Sequence, residues 1–328
     1  MKKVYVTRAI RDVGIDLLKK HFEVTVNPLD RDLTRAEFLE IIPGYDGVLT
    51  TLTNKVDEEV FTQAPSVKVF ANYAVGFNNI DVDMASEHGV AITNTPDALT
   101  LATAEMAWAL LFAAARHLIP SDRLMRRGGF DGWEPLGFLG MPVTGKTLGI
   151  IGAGRIGQAF GRMASGFGMK ILYNSPSRKP AFEKESGAIY TDLKELLQSS
   201  DFVALHCPYN LSTHHLLGAE ELALMKKTAV LVNTARGAII DEKALYEALL
   251  DRRIYAAGLD VYEKEPTTYP GLTDLENVVT CSHIGSATYE SRDAMAILAA
   301  QSIVDVLDGG NVPDNCLNKE IFQSIKTR

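Results

Sequence analysis

Cysteine is scarce in this chain. Cys207, Cys281 and Cys316 are the only three, widely spaced and odd in number. That excludes a disulfide framework and any close-set zinc pair, and points to a reducing, cytoplasmic compartment. Long basic runs are also missing, and the formal net charge is −8, which argues against a nucleic-acid surface. No apolar run is long enough for a bilayer. The most apolar stretch, "MAWALLFAAA", covers 106–115 between Glu105 and Arg116 and reads as a buried helix. The N-terminal "MKKVYVTRAIRDVG" is broken by Arg8, Arg11 and Asp12, so no signal peptide and no membrane partner are expected. Internal repeats and low-complexity segments are absent. A chain of 328 residues with 46% apolar and 23% charged residues fits a globular protein of about two domains.

Strands alternate with helices along the chain. The first series contains "KVYVT", "FEVTVN", "GVLTT", "VKVFANY" and "GVAITN", with helical segments such as "RDVGIDLLKKH" between several of them. A long helix is expected over about 101–118, followed by the Gly- and Trp-containing loop "RRGGFDGWEPLGFLGMPV". A second series reads "TLGII", "KILYN", "FVALH", "AVLVN", "YAAGLDV" and "NVVT". Near-continuous apolar strands separated by helices indicate an α/β fold with parallel sheets covered on both faces. A last helix is expected over about 288–307, ending at Asp308-Gly309-Gly310.

The second series opens on "GIIGAGRIGQAFGRMASGFG", where Gly152, Gly154 and Gly157 form G-x-G-x-x-G. Alone the pattern is weak. Here it follows a strand and opens a helix whose apolar face is Ile156, Ala159, Phe160, Met163, Ala164 and Phe167. In that context the glycines let backbone approach a pyrophosphate at a helix N-terminus, as in the doubly wound Rossmann fold. The bland alternative is a tight strand–helix turn. At the end of the next strand an NAD enzyme would place a carboxylate for the ribose 2′-hydroxyl. Ser175 stands there, followed by Ser177, Arg178 and Lys179. Hydroxyls and cations suit a 2′-phosphate, so NADP is preferred and NAD remains possible. A solvated basic loop is the competing reading.

Doubly wound sheets bind ligands outside the carboxyl ends of their strands. With six strands in the order 3-2-1-4-5-6, "AVLVN" is the fourth. Arg236 follows it, Asp260, Glu263 and Glu265 follow the fifth, and His283 follows the sixth. These ends lie where the reactive half of a dinucleotide would be. Hydride transfer to a carbonyl leaves an alkoxide that a histidine can protonate. A nearby carboxylate favours the charged imidazole. An arginine can fork onto a substrate carboxylate. Singly, each residue is as well explained by a structural ion pair or a solvated strand end.

The stretches "NYAVGFNNIDVD", "LATAEMAWALL", "GKTLGIIGAGRIGQAFGRMASGFGMKILYNSPSRK", "LVNTARGAIIDEKAL", "AAGLDVYEKEP" and "HIGSAT" resemble the D-isomer-specific 2-hydroxyacid dehydrogenases over nearly the whole chain, most closely the glyoxylate/hydroxypyruvate reductase branch. The resemblance implies an NAD(P)-dependent oxidoreductase, with a catalytic set on Arg236, Glu265 and His283. Glu263 is the rival carboxylate, but the family pattern puts the catalytic one directly before proline, here Pro266. It implies a cofactor domain (100–287) inserted, between crossing helices, into a flavodoxin-like substrate domain (1–99 and 288–328). Expected cofactor contacts are Gly152, Gly154, Arg155, Ile156, Gly157, Ser175, Ser177, Arg178, Lys179, Cys207, Pro208, Thr234, Ala235, Arg236, Asp260, His283 and Gly285. Backbone N–H groups of Val75 and Gly76 are expected to hold the substrate carboxylate. Leu52 is expected to line the pocket beside Arg236 and His283, with Trp133 reaching in from the partner of a homodimer. The expected substrate is a small 2-oxoacid or 2-hydroxyacid, and no metal is expected. Ser282 departs from the family, which usually has proline there, and Leu101 departs from a more usual Asp-containing stretch.

Other classes stay open. A redox-sensing binding module of the same fold would not require the full set of three. Formate dehydrogenases carry glutamine at the position of Glu265. Phosphoglycerate dehydrogenases often carry an added C-terminal domain, which is not expected here. Phosphite oxidation shares the same three residue types.

Overall fold

In the computed structural model, which describes residues 1–322, the chain forms two units: Met1–Leu99 with the segment from Ala287 onward, and Thr100–Ser286. Residues 323–328 of the expected C-terminal segment lie outside the described residues.

The first unit is built on five strands, β1 (Lys3–Val6), β2 (Glu23–Val26), β3 (Gly47–Thr50), β4 (Val69–Asn72) and β5 (Ala91–Thr93). All pairings are parallel and the order is β2-β1-β3-β4-β5, the flavodoxin-like arrangement. The central strands β3 and β4 are buried throughout, while β2 at the edge is not. The C-terminal helix Tyr289–Leu307 joins this unit, its N-cap Thr288 accepting the Ser291 N–H at 3.1 Å. Gly14 allows the helix Asp12–Lys19 to approach it, because a Cβ there would meet the Ala296 carbonyl at 2.6 Å. Beyond that helix the chain returns to the β5 edge, where Leu317 N–H donates to Ile92 and Ile92 N–H donates to the Asn318 side chain. The described N-terminal and C-terminal segments therefore complete one sheet unit.

The second unit has seven parallel strands, β6 (Thr147–Ile151), β7 (Lys170–Asn174), β8 (Ile189–Tyr190), β9 (Phe202–Leu205), β10 (Val230–Asn233), β11 (Ala256–Leu259) and β12 (Val278–Thr280). Read from β8, their order is 3-2-1-4-5-6-7. The six-strand reading missed β8, so "FVALH" is the fourth strand and "AVLVN" the fifth. Two exposed residues at a sheet edge carry no alternation to detect. The correction leaves β10, β11 and β12 on the same side of β6. The expected helix over 101–118 is also revised: it spans Thr100–Ala115, the chain breaks at left-handed His117 (φ 52°), and a second helix covers Leu118–Arg126. Among the described residues no helix is long and apolar enough to cross a membrane.

The helix Thr100–Ala115 is apolar over most of its surface because most of it is buried; Leu101, Glu105 and Ala109, spaced four apart, form an exposed stripe. Trp108 stacks on Phe160 at 4.7 Å between centroids, and its indole N–H donates to the Phe160 carbonyl at 3.1 Å. Phe160 lies on the helix that follows the glycine turn, so Trp108 helps hold that helix against the sheet. Trp108→Ala should lower stability by about 3–5 kcal/mol; denaturant unfolding followed by far-UV circular dichroism would check it.

Candidate active site

Each glycine of the turn after β6 answers a different steric demand. Gly152 has φ 98°, and a Cβ there would lie 2.3 Å from the Cys207 nitrogen. A Cβ on Gly157 would lie 2.1 Å from the Gly152 carbonyl oxygen. Gly154, the N-cap of the helix Arg155–Ala164, would meet nothing within 4 Å. Two glycines thus close the turn and seat the helix, and the middle one faces open space with no side-chain cap on the helix start. That is the arrangement a pyrophosphate needs: room, backbone N–H groups and positive potential. Nearby, Thr234 Oγ1 and His206 Nε2 are buried without a hydrogen-bond partner, and burial pushes the His206 imidazole down to about 3, keeping it neutral. Gly154 and these two atoms fit a bound dinucleotide. Arg155 and Ile156 open the helix, and Cys207 and Pro208 follow β9.

Ser175 is buried at the end of β7. The cations beyond it are engaged. Arg178 forks onto Glu183 (Nε–Oε1 3.1 Å, Nη2–Oε2 2.7 Å), and Lys179 Nζ donates to Ser177 Oγ at 2.9 Å. Glu183 also accepts from the Tyr173 hydroxyl at 2.5 Å. Its carboxyl is held below the usual range first by Arg178 and then by Tyr173. A carboxylate is therefore present in this loop region, eight residues past the position inspected in the sequence.

The ends of β10, β11 and β12 are tied together by short bonds. Asn233, the last residue of β10, accepts the Ala235 N–H at 3.0 Å and donates to the Arg236 carbonyl at 2.9 Å, which shapes the turn carrying Arg236. Burial pushes the Arg236 guanidinium down from its ordinary range, and Glu265 opposes that shift. His283 occupies the left-handed region at φ 57°, a conformation that a β-carbon disfavours. Asp260 stabilises it by accepting the next two N–H groups, Ile284 on Oδ1 at 2.8 Å and Gly285 on Oδ2 at 2.7 Å. Each carboxylate oxygen keeps a lone pair for a further donor.

Glu265 and His283 meet directly. His283 Nδ1 lies 2.9 Å from Glu265 Oε2 and donates to it, since the carboxylate can only accept. Nε2 is then the ring nitrogen left for chemistry. Glu265 Oε1 accepts the Tyr262 N–H at 3.1 Å, while the Tyr262 hydroxyl donates to the Cys281 carbonyl at 2.8 Å. Burial pushes that phenol up to about 12, so it remains a donor. Burial alone would raise the Glu265 carboxyl; the hydrogen bond and charge of His283, the Tyr262 N–H and Arg236 outweigh it and hold the group below its usual range. Glu263 does not face His283: its Oε1 lies 3.2 Å from His215 Nε2, without hydrogen-bond geometry.

In the first unit, Asn72 Nδ2 holds the Gly76 carbonyl at 2.9 Å and Asn94 Nδ2 holds the Val75 carbonyl at 2.8 Å. Among the described residues the N–H groups of Val75 and Gly76 have no partner. Leu52 sits in the turn after β3, half-buried. Trp133 is 85% exposed, in an irregular segment that also exposes Phe130, Leu136 and Leu139.

Residues 108–285 match the family model described as D-isomer specific 2-hydroxyacid dehydrogenase, NAD binding domain. The chain belongs to the D-isomer specific 2-hydroxyacid dehydrogenases. A glyoxylate reductase of Thermococcus kodakarensis is 50% identical over 98% of this chain and 97% of its own length. A crystal structure of a glyoxylate reductase from Paecilomyes thermophila superposes with a TM-score of 0.87 at 34% identity, over 97% of this chain and 99% of that one. The NADPH-dependent glyoxylate/hydroxypyruvate reductase of Sinorhizobium meliloti, in complex with NADP and malonate, does so at 0.84 and 29% identity, over 97% of each. As a member of this family the chain is an NAD(P)-dependent dehydrogenase acting between 2-oxoacids and 2-hydroxyacids.

Sequence reading passed over three residues of this dehydrogenase's site. Asn233 and Gly237 flank Arg236 in "VNTARGA" and could have been found as turn-forming types. Tyr262 gave no signal, because its hydroxyl reaches across to the Cys281 carbonyl, far along the sequence. Gly237 is the tightest of them: a Cβ there would lie 1.8 Å from the Tyr262 carbonyl carbon. Gly237→Ala must push the Arg236 turn away from the loop carrying Glu265. It should lower kcat/KM by about a hundredfold, the scale of a 1 Å misplacement, with dinucleotide affinity largely kept. Steady-state kinetics beside a fluorescence titration of the cofactor would check both.

Proposed function

We propose that this enzyme reduces glyoxylate and hydroxypyruvate to their D-2-hydroxyacids, with Arg236, Glu265 and His283 as the catalytic residues. The observation that carries this reading is the 2.9 Å bond between His283 Nδ1 and Glu265 Oε2, beside an arginine at a neighbouring strand end. Gly152, Gly154, Arg155, Ile156, Gly157, Cys207, Pro208, Thr234 and Ala235 would hold a nicotinamide dinucleotide, with Asp260 and Gly285 towards its reactive end; when bound it would supply the hydride. Arg236 forks onto the substrate carboxylate and stabilises charge growing on the carbonyl oxygen. His283 donates the Nε2 proton to that oxygen as the C–H bond forms, and Glu265 holds the positive imidazolium until it does. The neutral histidine then takes a proton from solvent.

NADP is the preferred cofactor in this reading. Ser175 puts no charge at the strand end, and Arg178, though forked onto Glu183, keeps further donors for a 2′-phosphate. The NADP-bound relative from Sinorhizobium meliloti supports the same choice. The exposed apolar segment around Trp133 suits a homodimer in which Trp133 enters the partner's active site. Three free thiols fit the cytoplasm.

Three measurements test these assignments. His283→Ala should lower turnover by about 10²–10⁴. In Glu265→Gln the imidazolium loses its carboxylate, so protonated enzyme is lost earlier as pH rises, and the basic limb of the reduction profile should move to lower pH. An unmoved limb would remove Glu265 from the role. For the cofactor, the wild type should favour NADPH in kcat/KM. Ser175→Asp with Arg178→Ala should swing the ratio towards NADH by about tenfold or more. A wild type that already favours NADH would mean the basic loop is merely solvated.

A further inference from the structure

Glu242 is a buried carboxylate that the chemistry above does not use. It is the first residue of the helix Glu242–Leu250, whose N-cap Asp241 accepts the Ala244 N–H at 3.0 Å. A helix-start glutamate normally points into solvent, where it complements the helix dipole. This one is only 7% exposed. Its two oxygens divide between two backbone donors: Oε1 accepts the Glu263 N–H at 2.9 Å and Oε2 accepts the Tyr269 N–H at 3.0 Å. One side chain thereby grips both ends of the loop 263–269, and Glu265 lies inside it. Within the loop, the Thr267 N–H and hydroxyl both donate to the Lys264 carbonyl, which keeps it tight.

Burial raises the Glu242 carboxyl; the two N–H bonds lower it, and repulsion from Glu263 and Glu265 raises it further. A negative charge kept beside two others in a poorly solvated place is unfavourable unless its bonds are needed. Around it stand Glu263 and Glu265 on the loop, His215 against Glu263, His283 against Glu265, and Arg236 near Glu265. Glu242, Gly237 and Arg236 all belong to the stretch "RGAIIDE". The segment that carries the catalytic arginine therefore also supplies the glycine that admits the Glu265 loop and the carboxylate that ties it down.

We propose that Glu242 is a positioning residue of the reaction: by clamping residues 263–269 at both ends it keeps Glu265 in hydrogen-bond reach of His283. The proposal rests on the assignment of Glu265 as the partner of His283. It is tested by a double-mutant cycle on the intact enzyme, with hydroxypyruvate and NADPH. Glu242→Ala should lower kcat by about tenfold to a hundredfold and move the basic limb of the pH profile to lower pH, while KM for NADPH stays near wild type. Glu242→Asp, which keeps the charge on a shorter stem, should recover part of the loss. In a Glu265→Gln background the same Glu242→Ala change should matter by less than about twofold, because residues that act as one unit do not add. If Glu242→Ala does not fold, Glu242→Gln, with one acceptor oxygen left, enters the same cycle. An equal loss in both backgrounds, or a folded Glu242→Ala enzyme with wild-type turnover and pH profile, overturns the proposal alone. Wild-type turnover in Glu265→Gln by itself overturns the assignment of Glu265 and this proposal with it.

Discussion

Between Gly237 and the Tyr262–Glu263 peptide there is no space for a single methyl carbon, and the rest of the site is arranged around that closeness. The turn after β10 presents Arg236 one residue before the contact, and the loop after β11 presents Glu265 two residues beyond it. Pressed together, they bring a guanidinium and a carboxylate close enough for each to influence the other's ionisation. Tyr262 extends the lock to the third strand end, its N–H on Glu265 and its hydroxyl on the carbonyl two residues before His283. Asp260 completes it by holding His283 in a backbone conformation that histidine does not choose unaided. Four strand-end features thus restrain one imidazole. An imidazole restrained in this way has little conformational entropy left to lose.

The parallel sheet is what makes such a lock possible. In β10, β11 and β12 all carboxyl ends lie at one edge and neighbouring strands are in register, Asn233 beside Leu259 and Leu259 beside Thr280. Residues more than twenty positions apart in sequence therefore emerge side by side. The burial of these strands on both faces resists any slip that would separate them. The glycine turn after β6 obeys the same logic on the cofactor side: two glycines make close contact possible and the third leaves room.

Much of this was legible in the residues alone. The apolar strands, the strand–glycine–helix context of 152–157, and the placement of Arg236, the carboxylates Asp260, Glu263 and Glu265, and His283 after three successive strands follow from period and motif; the choice of Glu265 over Glu263 came from the family resemblance. The two-residue β8 did not, because an exposed edge pair has no pattern, and its omission shifted the strand numbering by one. The break at His117 also escaped: Pro120, three residues on, lies just past the expected helix end and marks the first turn of the second helix rather than the left-handed residue itself. Glu183 was missed for a different reason: it reaches Arg178 from a helix, across a distance that inspection of the strand end does not cover. Glu242 was hidden most completely. At a helix start a glutamate is ordinary, and only its burial against residues 263 and 269 distinguishes it. What sequence does not disclose is which polar side chains the fold removes from water.

The proposed reaction is the reduction, by a nicotinamide dinucleotide, of a carbonyl carbon next to a carboxylate, with a proton delivered by a charged histidine. Its most direct test is the substrate profile of the purified wild-type enzyme at fixed pH, comparing kcat/KM for glyoxylate, hydroxypyruvate and pyruvate with reduced dinucleotide against that for phosphite with oxidised dinucleotide. Glyoxylate and hydroxypyruvate should lead, with phosphite turnover at background. Efficient phosphite oxidation with negligible reduction of every 2-oxoacid, or dinucleotide binding with no turnover of any substrate, would contradict it.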